Sequence, residues 1–98
     1  LAGAIISSDS RLDKYCIINQ NAIVGCSSIL SAGVELGPAA NICGEVIIKK
    51  DAWIGASATL IPRVKIGESA IIGAGAVVIN NLPANCTAVG IPAKIRKE

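Results

Sequence analysis

Histidine is absent from this sequence, as are methionine and phenylalanine, and one tryptophan and one tyrosine are the whole aromatic complement of its 98 residues. Without histidine the chain lacks the side chain that ordinarily titrates near neutral pH, which is also the commonest metal ligand. The four cysteines, Cys16, Cys26, Cys43 and Cys86, show no C-x-x-C spacing, so neither a zinc site nor another metal is expected. Charge is sparse: nine Lys and Arg against seven Asp and Glu give a net +2, too little for a nucleic-acid surface. Apart from Lys94, Arg96 and Lys97 the basic residues are scattered. No apolar run is long enough to span a membrane, and the opening LAGAII carries neither a charged leader nor a cleavage site. A cytoplasmic protein with reduced thiols is therefore expected.

What the sequence does contain is a period of six. Sampling from Ile6 gives Leu12, Ile18, Val24, Leu30, Leu36, Ile42, Ile48, Ile54, Leu60, Ile66, Ile72 and Val78, with no polar residue. Four positions further on, the same sampling gives Ser10, Cys16, Ala22, Ser28, Val34, Ala40, Val46, Ala52, Ala58, Val64, Ala70, Ala76 and Leu82, nearly all small. Neither a helix of period 3.6 nor a lone strand of period 2 holds such a register, so the pattern specifies a repeat architecture.

Each hexad supplies one short strand and one corner, and three hexads close a triangular turn. Residues eighteen apart then lie above one another, on parallel strands about 4.8 Å apart. The aliphatic fills the interior and the small residue sits where the chain turns. The glycines directly after the aliphatic, Gly25, Gly37, Gly55, Gly67 and Gly73, suit a position needing unusual backbone angles or close approach. Cys16 falls on the small inward position and reads as a core residue. One domain with a little over four turns follows, residues 1–82. Pro83 and Pro92 are expected to end the ladder, leaving residues 83–98 as a C-terminal cap folded back over the last coil. Ile5 and Ile6 read as a coil already in progress, so an earlier segment or another chain is expected to cover that end.

The ending AVGIPAKI, Ala88 to Ile95, following IGAGAVVINNLPANC, resembles the end of hexapeptide-repeat acyltransferases. That resemblance implies an all-β, left-handed parallel β-helix, a triangular prism, although most parallel crossovers are right-handed. The segment Ala22 to Ala76 is most similar to the bacterial sugar acetyltransferases of the sialic-acid O-acetyltransferase and bacillosamine-pathway N-acetyltransferase group. It implies a homotrimer that takes acetyl from acetyl-CoA in clefts between prisms and passes it to a sugar or nucleotide sugar. In that group an N-terminal nucleotide-sugar-binding α/β domain precedes the prism, and it is expected to be absent here. The group's acidic-His-acidic tripeptide falls on Gly25, Cys26 and Ser27, and its second histidine on Glu35. Cys26 thus stands at the general-base position, Ser27 at the orienting position, and Glu35 where a histidine lies near the thioester. For the cofactor, the resemblance assigns main-chain groups of Gly44, Ala56 and Ala74 to the pantetheine arm, and Gly90 to Lys94 to the adenosine-phosphate end.

Acetyl transfer needs a base and donors for an oxyanion, so two residues come forward in place of histidine. Glu35 belongs to the outward column Ile17, Glu35, Trp53, Ile71, where a poorly solvated carboxylate gains strength as a base; a solvated glutamate paired with Lys14 or Lys65 is the plain alternative. Cys26 could attack the thioester itself, or be a passive corner thiol. The outward residues Ile5, Ile17, Ile23, Ile29, Ile47, Trp53, Ile71 and Val77 are expected to form continuous apolar strips along which prisms meet. A non-catalytic scaffolding β-helix trimer is the competing function, favoured by the missing histidines. The γ-type carbonic anhydrases, similar in fold, need three zinc-binding histidines and are excluded.

Overall fold

The computed structural model describes residues 3–97, so what was expected of Leu1, Ala2 and Glu98 lies outside the described residues. Thirteen two-residue strands follow one another every six residues: β1 (Ile5–Ile6), β2 (Arg11–Leu12), β3 (Ile17–Ile18), β4 (Ile23–Val24), β5 (Ile29–Leu30), β6 (Glu35–Leu36), β7 (Asn41–Ile42), β8 (Ile47–Ile48), β9 (Trp53–Ile54), β10 (Thr59–Leu60), β11 (Lys65–Ile66), β12 (Ile71–Ile72) and β13 (Val77–Val78). They are followed by β14 (Thr87–Val89) and β15 (Lys94–Lys97). Every third strand pairs in parallel at a register of eighteen, as Ile5↔Ile23 and Trp53↔Ile71 do. Three sheets result, here called face A (β1, β4, β7, β10, β13), face B (β2, β5, β8, β11) and face C (β3, β6, β9, β12, β14, β15). The fold is the left-handed parallel β-helix that the resemblance implies, built on the hexad register, with Cα extents of 32 × 20 × 20 Å. No helix of the described residues is long and apolar enough to cross a membrane.

The two sampled columns make the core. From Val24 to Val78 every aliphatic of the first column is at most 1 % exposed, and no member of the small column from Ala22 to Ala76 exceeds 4 %. Ser28, the one polar member of that buried stretch, donates to the Cys43 carbonyl at 3.0 Å and accepts from the Val46 amide. Its hydroxyl is thereby satisfied inside an apolar stack.

Each corner carries a residue with φ near +60°, three positions after the aliphatic; Asp9, Tyr15, Asn21, Ser27 and Ala39 begin the series. Only at Gly33 and Gly75 does glycine fill that place along the later coils. Of the two reasons expected for glycine directly after the aliphatic, unusual angles or close approach, the structure shows close approach. A Cβ on Gly55 would lie 2.6 Å from the Ala74 nitrogen, and one on Gly37 2.6 Å from the Ala56 nitrogen.

The end of the coil also departs from expectation. Leu82 bridges to Ile66, and Thr87 pairs with Ile71, a register of sixteen. The corner after β13 is two residues short, so Leu82 enters the aliphatic column, and Cys86 and Ala88 are buried as inward residues. Asn81 repairs the ladder, its side-chain oxygen accepting from the Lys65 amide at 2.8 Å where coils below use a backbone carbonyl. Parallel pairing thus continues past Pro83 to Ala88. The reason is directional: the amide after each aliphatic donates to the coil above, as Gly67 donates to Leu82, and above Leu82 the described residues place no further parallel strand on face B. A proline there removes no bond. The chain then turns through Gly90–Ala93 and β15 returns antiparallel along β14.

The outward columns are broken rather than continuous. Face A reads Ile5, Ile23, Asn41, Thr59, Val77; face B reads Arg11, Ile29, Ile47, Lys65; face C reads Ile17, Glu35, Trp53, Ile71, Thr87. Polar residues interrupt each strip because the outward side chain does not enter the core and the coil tolerates any residue there.

Two outcomes follow from this packing. Gly55→Val should lower stability by about 2–3 kcal/mol through overpacking, whereas Gly75→Ala, with φ +72° and open space around it, should cost about 1 kcal/mol; urea unfolding of both variants checks the order. Cys16 donates to the Ser31 carbonyl at 3.2 Å, and burial pushes its thiol above the ordinary range. Its contribution is present below the unfolded thiol pKa and is lost as pH rises through the folded one. The unfolding midpoint should therefore fall more between pH 8 and pH 10 in the parent protein than in Cys16→Ala.

Candidate active site

The corners decide which backbone groups remain available. At each one the positive-φ amide donates downward, as in Ser57 N–H to the Pro38 carbonyl (2.9 Å) and Gly75 N–H to the Ala56 carbonyl (2.8 Å). The acceptor is the residue two after the aliphatic in the coil below, and the N–H at that position has no backbone acceptor among the described residues. Pro38 and Pro62 occupy this position, which shows that the coil does not use its amide. Ala56 and Ala74 hold the same place and keep their N–H groups.

Three edges run along the prism, and the expected site residues divide between two of them. Cys26, Ser27 and Gly44 lie on the edge between faces A and B, in the corners after β4 and β7. Ala56 and Ala74 lie on the edge between faces C and A, one above the other. Gly90 joins them there, its carbonyl accepting from Val77 at 3.1 Å, and exposed Lys94 begins β15 just beyond. Glu35 projects from β6 on face C, two residues before Gly37, which packs directly beneath the Ala56 nitrogen. Glu35 therefore flanks the edge with the unused amides, while Cys26 and Ser27 sit across face A from it. A cavity of about 300 Å³, lined by Arg11, Leu12, Asp13, Ile29, Leu30 and Ser31, includes none of them.

The local chemistry of the substituted positions is plain. Cys26 is exposed and is a free thiol, with Ser8 Oγ donating to its Sγ at 3.7 Å. Ser27 has φ +59° and bonds through its amide to the Ser8 carbonyl at 3.0 Å, so its side chain is an exposed corner hydroxyl with no imidazole to orient. Glu35 is half-buried between Ile17 below and Trp53 above. Among the described residues the ion pair is Arg63–Glu45, at 3.1 Å and exposed; neither Lys14 nor Lys65 pairs with Glu35. Lys65 projects from face B, and Lys14 stands in the corner between faces B and C.

Two features escaped the sequence reading. The column of unused amides was signalled by Pro38 and Pro62, both two residues after an aliphatic. The other is a charge vacancy. The outward residues of face A and the corners at 19–21, 37–39, 55–57 and 73–75 include no Asp, Glu, Lys or Arg. The edge that offers the amides is also the one the chain leaves uncharged.

Residues 45–80 match the family described as bacterial transferase hexapeptide (six repeats). A serine acetyltransferase from Synechococcus elongatus is 36% identical over 101 residues, covering 95% of this chain and 34% of its own length. A mutant of perosamine N-acetyltransferase from Caulobacter crescentus, solved with CoA and GDP-perosamine, superposes with a TM-score of 0.74 at 32% identity, over 98% of this chain and 54% of that one. A maltose O-acetyltransferase from Clostridium difficile shares the fold with a TM-score of 0.89 at 24% identity, over 97% of this chain and 65% of that one. The chain thus spans about a third of the serine acetyltransferase and about half of the Caulobacter enzyme. Its coil, register and matches together place it in the hexapeptide-repeat transferase family.

Proposed function

We propose that this chain is the catalytic prism of an acetyl-CoA-dependent acetyltransferase acting on a sugar or nucleotide sugar. The observation that carries the reading is the edge between faces C and A. Ala56 and Ala74 present unused N–H groups one coil apart, close-packed glycines lie beside them, and Gly90 continues the line towards Lys94. A pantetheine arm laid along this edge offers amide carbonyls to those donors, and Lys94 and Arg96 suit the phosphates beyond. The acyl donor is then the only cofactor the site requires.

A homotrimer completes the arrangement. Cys26, Ser27 and Gly44 are on one edge, and Glu35, Ala56, Ala74 and Gly90 lie on or beside another, of a prism 20 Å across. Both sets line one cleft when the first edge of one prism faces the second edge of its neighbour. The uncharged outward surface of face A is the natural contact for such packing, because burying it desolvates no charge. In the cleft Glu35 serves as the base, with Cys26 and Ser27 lining the opposite side. A cytoplasmic location accords with acetyl-CoA as donor and with cysteines that form no disulfide among the described residues.

Calorimetry with acetyl-CoA tests this reading. Ala56→Pro and Ala74→Pro each remove one N–H that the coil does not use, so folding should survive as it does with Pro38. Each lost hydrogen bond, about 1 kcal/mol, should weaken binding roughly five-fold. Ala32→Pro, at the matching place on the edge between faces B and C, should leave affinity unchanged. Equal affinity in all three variants would remove the edge from the site, and no heat at millimolar acetyl-CoA from an intact trimer would leave the scaffolding role.

A further inference from the structure

The carboxylate of Glu35 has neighbours that suit a particular kind of acceptor. Directly above it on face C, at a paired register, stands Trp53, the sole tryptophan of the chain. Ile17 lies directly below and Ile71 directly above Trp53. All four side chains project outward from one sheet, with neighbours about 4.8 Å apart. No cation of the described residues pairs with the carboxylate. A lone carboxylate beside an indole, walled by aliphatic groups, is the combination that holds an organic ammonium: the carboxylate takes its charge and the ring face attracts it.

The chemistry of the missing histidine points the same way. As a class, carboxylates are weaker bases than imidazoles by about two powers of ten. A hydroxyl acceptor holds its proton about as tightly as water does, and needs that proton drawn off as it attacks. An amine brings its own lone pair once a proton has left it, and the N–H it sheds after attack is far more acidic. We infer that Glu35 and Trp53 form the acceptor subsite for a protonated amine, so that transfer runs to the nitrogen of an amino sugar and not to a sugar hydroxyl.

In the step, the ammonium first releases one proton to solvent. The amine nitrogen then bonds to the thioester carbonyl carbon, the carbon–sulfur bond breaks, CoA departs as thiolate, and the second nitrogen proton passes through Glu35 to that sulfur. The products are an amide and CoA thiol. This inference rests on the acetyl-transfer reading above, and it adds the substrate class.

The test uses the full chain with acetyl-CoA and acceptors paired so that only NH₂ and OH differ: glucosamine with glucose, and GDP-perosamine with GDP-rhamnose. Trp53 fluorescence reports acceptor binding without turnover, and mass spectrometry before and after hydroxylamine separates esters, which it cleaves, from amides. The expected result is a fluorescence change with the amines only, hydroxylamine-stable product formed at least 100-fold faster from the amine of a pair, and a 10-fold or greater rise in KM in Glu35→Gln. That rise should shrink from pH 7 to pH 9, where the acceptor arrives uncharged; Trp53→Leu should raise KM with little change in kcat. A hydroxylamine-labile product, rates within 10-fold between partners of a pair, or an unchanged KM in Glu35→Gln overturns the amine subsite and leaves acetyl transfer standing. No acetylated product from any acceptor, by protein that binds acetyl-CoA, overturns both.

Discussion

The coil-to-coil backbone ladder is the constraint on which everything else in this molecule depends. Strand residues bond to the coils above and below, and the corner amides join in, each reaching one coil down from a residue with φ near +60°. Eleven non-glycine residues accept that conformation, at about 1–2 kcal/mol each. They do so because the alternative is an unpaired polar group in every corner. Close approach of the corners then forbids a Cβ at Gly25, Gly37 and Gly55. The ladder sets backbone angle, glycine placement and side-chain size together.

The same constraint builds the site. A ladder that pairs one corner amide leaves the amide before it without a backbone partner among the described residues, at fixed height and spacing, along all three edges. An edge becomes useful to a ligand where those amides are not replaced by proline, not crowded by side chains and not beset by charge. The edge between faces C and A meets these terms at Ala56 and Ala74. A rigid scaffold thereby offers donors already in place, which is how a binding site avoids the entropy of arranging them. Glu35 and Trp53 stand beside that edge through register alone, since neither makes a side-chain contact that the coil requires.

Much of the fold was legible because its physics is local and repeated. A single inward aliphatic every six residues, with a small residue four places on, admits no other regular structure, and the buried columns run through the very residues the sampling picks out. The tail was less legible. Pro83 signals the end of a ladder only if its amide is needed, and whether it is depends on the presence of a coil above. The two-residue shortening after Val78 left a trace in Leu82, an aliphatic in the small column, but its consequence rests on Asn81 substituting for a carbonyl.

The candidate residues divide along the same line. By itself the sequence determined the coil, the core and the absence of histidine, because periodicity and composition are properties of the chain alone. It also determined that Ile17, Glu35, Trp53 and Ile71 share a face, since eighteen residues make one turn. Only the tertiary structure decided that no cation of the described residues pairs with Glu35, and that the amides at Ala56 and Ala74 have no backbone acceptor among those residues. Those are matters of which groups a closed triangular turn brings together and which it spends on itself, and no linear spacing expresses them.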